Sequence, residues 1–230
     1  MMNPESVLII GANGRTGSQV IQEFDRKDEK HTRPEIYAFC RDDDKLDDDL
    51  KRKCRSVITG DARDSDDLKR ALRQSNADLV VVCIGSSEQK TDIRTASAQA
   101  LVQVLQETSF RHVYVVVVSS VGAGNTPIKR GMGVGWLLKL FLRHPLKDHG
   151  GQEEAFLSSP LKTRTLIIRP SGLTENEATG RVVEFDSSKT IPPTTKTDRK
   201  DLAKWLVQEA VYGEESKSYF GSKPVAVTCV

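Results

Sequence analysis

The chain is short of aromatic residues, histidine and cysteine, and it has no long apolar run. Aromatics make up 6% of its 230 residues. No stretch reaches the roughly 18 apolar residues of a membrane-crossing helix. The first apolar run, residues 7–10, has no basic flank ahead of it, so it reads as a strand and not as a secretory signal. The expected location is the cytoplasm. The four cysteines, Cys40, Cys54, Cys83 and Cys229, are scattered, with no CxxC and no histidine pair at ligand spacing. That excludes a zinc or disulfide framework as the first reading and points to free thiols in a reducing compartment, with no metal. Neither sign of charge dominates: 34 Lys and Arg face 32 Asp and Glu, a net charge of +2. Such a balance gives no whole-chain field for nucleic acid or anionic lipid. The partners left are a small molecule and, as monomer or homodimer, a second copy of the chain.

Apolar residues at 37% and charged residues at 29% describe a globular chain. At this length about 70% of the unfolded surface can be buried, enough for one sizeable core. Short runs rich in Val and Ile recur at 7–10, 36–40, 56–59, 78–84, 112–119 and 165–168. Most lack polar alternation, the mark of strands buried on both faces. Between them, residues 15–26, 65–74, 91–108, 152–158 and 198–212 read as amphipathic helices. Ala98, Leu101, Val102 and Leu105 fall on one helical face. Asp64 or Ser65 suits one N-cap and Asp198 another. The alternation predicts an α/β fold in a single domain, residues 1–230: a doubly wound parallel sheet with helices on both faces. Two segments break the rhythm, at about 122–151 and 171–197. Both follow late strands, at the sheet edge where such folds bind ligands, so both are expected to be substrate loops.

The strongest local signal is the first strand-to-helix turn, Gly11-Ala12-Asn13-Gly14-Arg15-Thr16-Gly17. Gly11 permits the tight turn, Gly14 lets the backbone approach a pyrophosphate, and Gly17 lets the helix lie close to the sheet. The anion then sits on free N–H groups at the helix N-terminus. Three glycines alone are weak evidence. Directly after a strand and opening a helix, they specify a Rossmann-type dinucleotide site.

With these residues the chain resembles the atypical branch of the short-chain dehydrogenase/reductase superfamily. Within it, the likeness is to the NAD(P)H-binding proteins that include biliverdin reductase B-type flavin reductases and NmrA-like proteins. Further landmarks are Arg41-Asp42, Gly60-Asp61-Ala62, Ile84-Gly85, Ser119-Ser120, Asp148-His149 with Glu153-Glu154, and Arg169-Pro170-Ser171-Gly172-Leu173. The resemblance covers nearly the whole chain. It implies that Asp61 and Ala62 flank an adenine and that Ile84, Gly85 and Ser86 line the path of pyrophosphate and nicotinamide ribose. It also implies that the turn from Pro170 to Leu173 holds the nicotinamide carboxamide.

The residue that ends the second strand reads the adenosine ribose. Here it is followed by Arg41, whose planar guanidinium suits a 2′-phosphate. By the resemblance, Arg15 points to the same ribose. The reading is NADP(H). The alternative is NAD(H), with Asp42 on the ribose hydroxyls, because Asp42, Asp43, Asp44, Asp47, Asp48 and Asp49 crowd the next segment. If those carboxylates face solvent, they form only an acidic surface that favours a helix start.

Conventional members of the superfamily protonate substrate with a Tyr and a Lys four residues on. The string that matches, Tyr219 to Lys223, follows the last helix and contains Gly221, so it reads as chance. Where the motif belongs, the chain reads Lys147-Asp148-His149-Gly150-Gly151. The candidates left are Ser119 and Ser120, as hydrogen-bonding groups for the carboxamide or substrate, and His149 as a general acid near neutral pH. Lys147 and Asp148 are further possible proton sources. Hydride transfer to a flavin-, quinone- or tetrapyrrole-like acceptor needs no strong protein acid. The expected function is therefore an NADPH-dependent oxidoreductase of a small planar acceptor. The alternative is a non-catalytic NADP(H)-binding redox sensor of NmrA-like type. The apolar, basic stretch 129–143 reads as a lid or subunit contact, or else as an interfacial membrane helix.

Overall fold

A computed structural model describes residues 2–26, 30–86, 90–124, 141–176, 178–186 and 195–229. The first five apolar runs become strands β1 (Ser6–Ile10), β2 (Glu35–Cys40), β3 (Ser56–Thr59), β4 (Leu79–Val82) and β5 (Tyr114–Val118). Four more follow β6 (Thr165–Pro170): β7 (Gly172–Thr174), β8 (Val182–Phe185), β9 (Lys196–Asp198) and β10 (Val225–Cys229). The main sheet runs β3-β2-β1-β4-β5-β6-β10-β8. All its pairings are parallel except the last, where β8 lies antiparallel on β10. β7 and β9 form a separate parallel pair.

Every residue of β1 is buried. Val7 and Ile9 enter one apolar cluster and Leu8 and Ile10 the other, so each face of the strand has its own core. Helix α1 (Arg15–Asp25) covers the first face with Val20, Ile21 and Phe24. Helices α2 (Asp48–Lys53), α3 (Ser65–Ser75), α4 (Ile93–Leu105), α5 (Arg143–Leu157) and α6 (Arg199–Trp205) follow, α6 running on into a π-helical turn at Leu206–Val211. α6 joins α1 on its face, while α3, α4 and α5 pack on the other. Asp64 caps α3 and Asp198 caps α6 through backbone N–H groups, as expected. No helix among the described residues is long and apolar enough to cross a membrane.

Two expected loops are corrected. The end of the segment 122–151, from residue 143 on, is helix, because α5 starts at Arg143 and runs straight through Gly150 and Gly151. A Cβ on Gly151 would lie 2.3 Å from the Thr95 hydroxyl. Gly151 allows close α4–α5 contact, and Gly150 lets the backbone at Gly124 approach within about 3 Å of where its Cβ would lie; neither breaks the helix. The segment 171–197 carries β7, β8 and part of β9. Residues 125–140, most of the expected lid, and Pro192-Pro193 lie outside the described residues.

Candidate functional site

β1 lies between β2 and β4, so the strand order reverses there, and open α/β sheets bind ligands at such a point. A cleft of about 750 Å³ opens over the carboxyl ends of the strands. The chain leaves β1 through Gly11 at φ +82°, a conformation that favours glycine. The Gly11 N–H donates to Phe39 O at 2.9 Å, and the Asn13 side chain donates to Asp42 O at 3.0 Å, which ties the loop to the end of β2. Gly14 is the N-cap of α1, so no side chain caps this helix, and its first turn holds no acid. Its leading N–H groups and dipole are left for an anion. A Cβ on Gly17 would meet Gly11 O at 2.3 Å. Gly17 is buried under the loop and does not line the cleft; its part is to let α1 approach β1.

Every other expected cofactor residue lines this one cleft: Gly11, Asn13, Gly14, Arg15, Thr16, Arg41, Asp61, Ala62, Ile84, Gly85, Ser86, Ser119, Pro170 and Leu173. So do the expected reactive residues Ser119, Ser120 and His149. Two arginines that the sequence did not single out, Arg94 and Arg199, line it as well. Four arginines and one acid, Asp61, therefore face this space among the described lining residues. Arg15, Arg94 and Arg199 each stand in the first turn of a helix, where a cation opposes the dipole. That unfavourable placement is the signal in the sequence that could have found Arg94 and Arg199.

The arginines divide their partners. Arg15 and Arg199 both bind the Glu175 carboxylate, at 3.2 and 3.1 Å. Burial, then the neighbouring Arg15 charge, pushes the Arg199 guanidinium below its ordinary range. Arg41 instead stands near Asp61, whose carboxyl is held low first by the Arg63 side chain and to a lesser extent by Arg41. Arg15 thus pairs with Glu175, while Arg41 only adds to the positive field at Asp61. The acidic run after β2 is spent locally. Asp42 caps the next turn through Asp44 N and pairs with Lys45 at 2.9 Å, while Asp47 caps α2. Asp42 does not line the cleft, although its neighbour Arg41 does.

The proton-bearing candidates are less available than their residue types suggested. Asp148 is buried and accepts from the Arg94 and Thr95 N–H groups, at 3.2 and 2.9 Å, and from the Arg94 guanidinium at 3.1 Å. It caps α4 from α5 and is not a free acid. His149 does face the cleft, but burial, then the Arg94 charge, pushes its imidazole down to about 4. That burial disfavours the imidazolium which general-acid work near neutral pH would need. Ser119 donates its hydroxyl to Glu153 Oε1 at 2.5 Å. Ser120, half-buried, makes a 3.2 Å bond to Val121 O. Tyr219 lies away from the cleft, bonded to Glu184 beside Trp205. Among the described residues no group of three His, Cys, Asp or Glu side chains could hold a metal.

Residues 11–211 match a family model described as NAD(P)H-binding. The chain belongs to this NAD(P)H-binding family. Among sequence relatives, the oxidoreductase stcQ of Emericella nidulans is 26% identical over 195 residues, which cover 80% of this chain and 71% of stcQ. Among solved structures, ChuY, an anaerobillin reductase from Escherichia coli O157:H7, aligns with a TM-score of 0.68 at 18% identity, covering 96% of this chain and 95% of its own. A candidate NADH-flavin reductase from Streptococcus pneumoniae TIGR4 aligns at 0.67 with 18% identity, over 97% of this chain and 99% of its own. At such identities the structural likeness speaks for the fold. The glycine cradle, the uncapped helix and the arginine-lined cleft of this member of the NAD(P)H-binding family fit a dinucleotide.

Proposed function

We propose that this chain is an NADPH-dependent oxidoreductase that delivers hydride to a small planar acceptor of flavin, quinone or tetrapyrrole type. The carrying observation is a single cleft that joins the uncapped α1 N-terminus and Arg41 to Ser119, Ser120 and Leu173 across the switch point. Bound NADPH supplies the hydride and its two electrons. Gly11, Asn13, Gly14, Arg15 and Thr16 would take the pyrophosphate, and Arg41 the 2′-phosphate. Asp61 and Ala62 would flank the adenine. Ile84, Gly85 and Ser86 would line the nicotinamide ribose, and Pro170 and Leu173 the carboxamide. Gly17 supports the loop from beneath. The acceptor would lie against Ser120 and His149. The name of the relative, oxidoreductase stcQ, supports the reaction class. The reductase names of the structural neighbours suggest the acceptor panel.

The cleft has neither tyrosine nor lysine among its described lining residues, and His149 is neutral. That favours acceptors protonated by water. It also supports a second reading, an NADP(H) sensor without turnover. NADPH oxidation measured against flavins, quinones and a linear tetrapyrrole separates the two. One acceptor class should speed oxidation well above the oxygen background. NADPH binding with no acceptor reduced would hand the site to the sensor reading.

A further inference from the structure

Behind the cleft wall lies a buried chain of three side chains from three elements. Ser119 directly follows β5 and is 3% exposed. Its Oγ donates to Glu153 Oε1 at 2.5 Å. Glu153, on α5 and 2% exposed, also accepts Arg169 Nε on Oε1 at 2.8 Å and Arg169 Nη2 on Oε2 at 2.5 Å. Arg169 comes from β6, the strand paired with β5. A guanidinium only donates, and here it occupies both carboxylate oxygens in fork geometry. Glu153 is thus presented to Ser119 as an acceptor alone. The Ser119 hydroxyl has one proton, and that proton is committed. What remains for the cleft is lone pairs.

We propose that the Arg169–Glu153 pair fixes the polarity of Ser119, making it an obligate hydrogen-bond acceptor toward the cleft, so that the ligand group it selects is an N–H or O–H donor. Resting on the dinucleotide reading above, the donor is the NH₂ of the nicotinamide carboxamide. Glu153 and Arg169 are positioning residues, acting only through Ser119. Ser120 donates its one proton to Val121 O at 3.2 Å, a long bond on a half-buried side chain, so that proton is redirected to a cleft acceptor at less cost than Ser119's. The two serines then divide the work: Ser119 accepts from the cofactor and Ser120 donates to the acceptor.

The test is calorimetry with NADPH and its 3-acetylpyridine analogue, in which a methyl group replaces the amide NH₂ and the carbonyl is kept. The parent protein should bind NADPH about tenfold tighter than the analogue, the size of one hydrogen bond. Ser119→Ala should bring the ratio close to one, and Ser119→Thr should restore it. Glu153→Gln can donate to Ser119 and release its proton toward the cleft, so the ratio should collapse while NADPH still binds. Should Glu153→Gln not fold, the Ser119→Ala and Ser119→Thr pair decides alone, since neither breaks the Glu153–Arg169 pair. Equal binding of both nucleotides by the parent, or an unchanged ratio in Ser119→Ala, overturns the inference and leaves the oxidoreductase reading standing. No binding of NADPH at all overturns both.

Discussion

At the scale of single residues, Arg41 and Gly14 separate cofactor choice from cofactor binding. Arg41 lines the cleft at the end of β2, and the carboxylate beside it in sequence, Asp42, is turned to Lys45 and a turn N–H. A 2′-phosphate would meet the guanidinium and not the acid. Arg41→Ala should therefore weaken NADPH by about 2–3 kcal/mol, one lost charge-assisted contact, and barely touch NADH. Calorimetry showing the parent protein indifferent to the 2′-phosphate would remove the basis for NADP(H). Gly14 is different. Its φ of −79° suits any residue, and a Cβ there would lie 3.0 Å from Gly11 O, so the loop needs to give only slightly. Gly14→Val should fold, by circular dichroism, yet lose both nucleotides, because its side chain fills the space the phosphates need. A folded variant with parental affinity would refute the cradle. His149 gives a pH test. Its folded value of about 4 lies below the ordinary 6.5 of an unfolded histidine. As pH falls below 6.5 the unfolded chain takes up a proton that the folded ring refuses until about 4, so stability is lost across that window and is unaffected above it. His149→Gln should flatten that part of a urea-midpoint profile; a parallel curve would show that the ring titrates normally.

Elements show what was legible. β1, β2, β4 and β5 were readable because both faces of each strand are covered, and continuous Val and Ile runs result. The glycine loop was readable because its chemistry is local. α5 was misjudged at its start because Gly150 and Gly151 resemble a break, and the reasons for them, the Gly124 backbone and Thr95, lie far away in sequence. β7 to β10 are short or border polar segments, and β8 owes its place to pairing with β10. The capping role of Asp148, expected only as a landmark and a proton source, was hidden for a like reason: its partners Arg94 and Thr95 sit on another helix. It caps α4, whose own N-cap residue Asp92 makes no side-chain cap bond. Removing it also leaves the buried Arg94 guanidinium uncompensated. Asp148→Ala should cost about 3–5 kcal/mol by urea denaturation, as for a broken buried pair, and Asp148→Asn less. A loss below about 1 kcal/mol would mean that α4 does not depend on this cap.

For the whole molecule, the question is whether the reactive place is the switch-point cleft or a smaller hollow lined by Val182, Glu184, Trp205 and Tyr219 beside β8. The string from Tyr219 to Lys223 has the residue types of a short-chain dehydrogenase, but the fold carries it past α6 to the β8 side of the sheet. There Tyr219 is bonded to Glu184 and meets Trp205 edge-on at 5.8 Å. Burial, then the Glu184 carboxylate, pushes its hydroxyl well above the ordinary tyrosine value, so it is a poor proton donor to any substrate and a poorer base. Ser120 stands at the other place, where β5 ends over the switch point. With the best acceptor, Ser120→Ala should lower kcat/KM about tenfold, the transition-state cost of one hydrogen bond near 1.4 kcal/mol. Tyr219→Phe should change it by less than about twofold, because the phenol has no part in a reaction on the far side of the sheet. If Tyr219→Phe abolishes turnover and Ser120→Ala does not, the reactive centre is the smaller cleft under β8, and the arginine-lined space at the switch point serves only to hold the nucleotide.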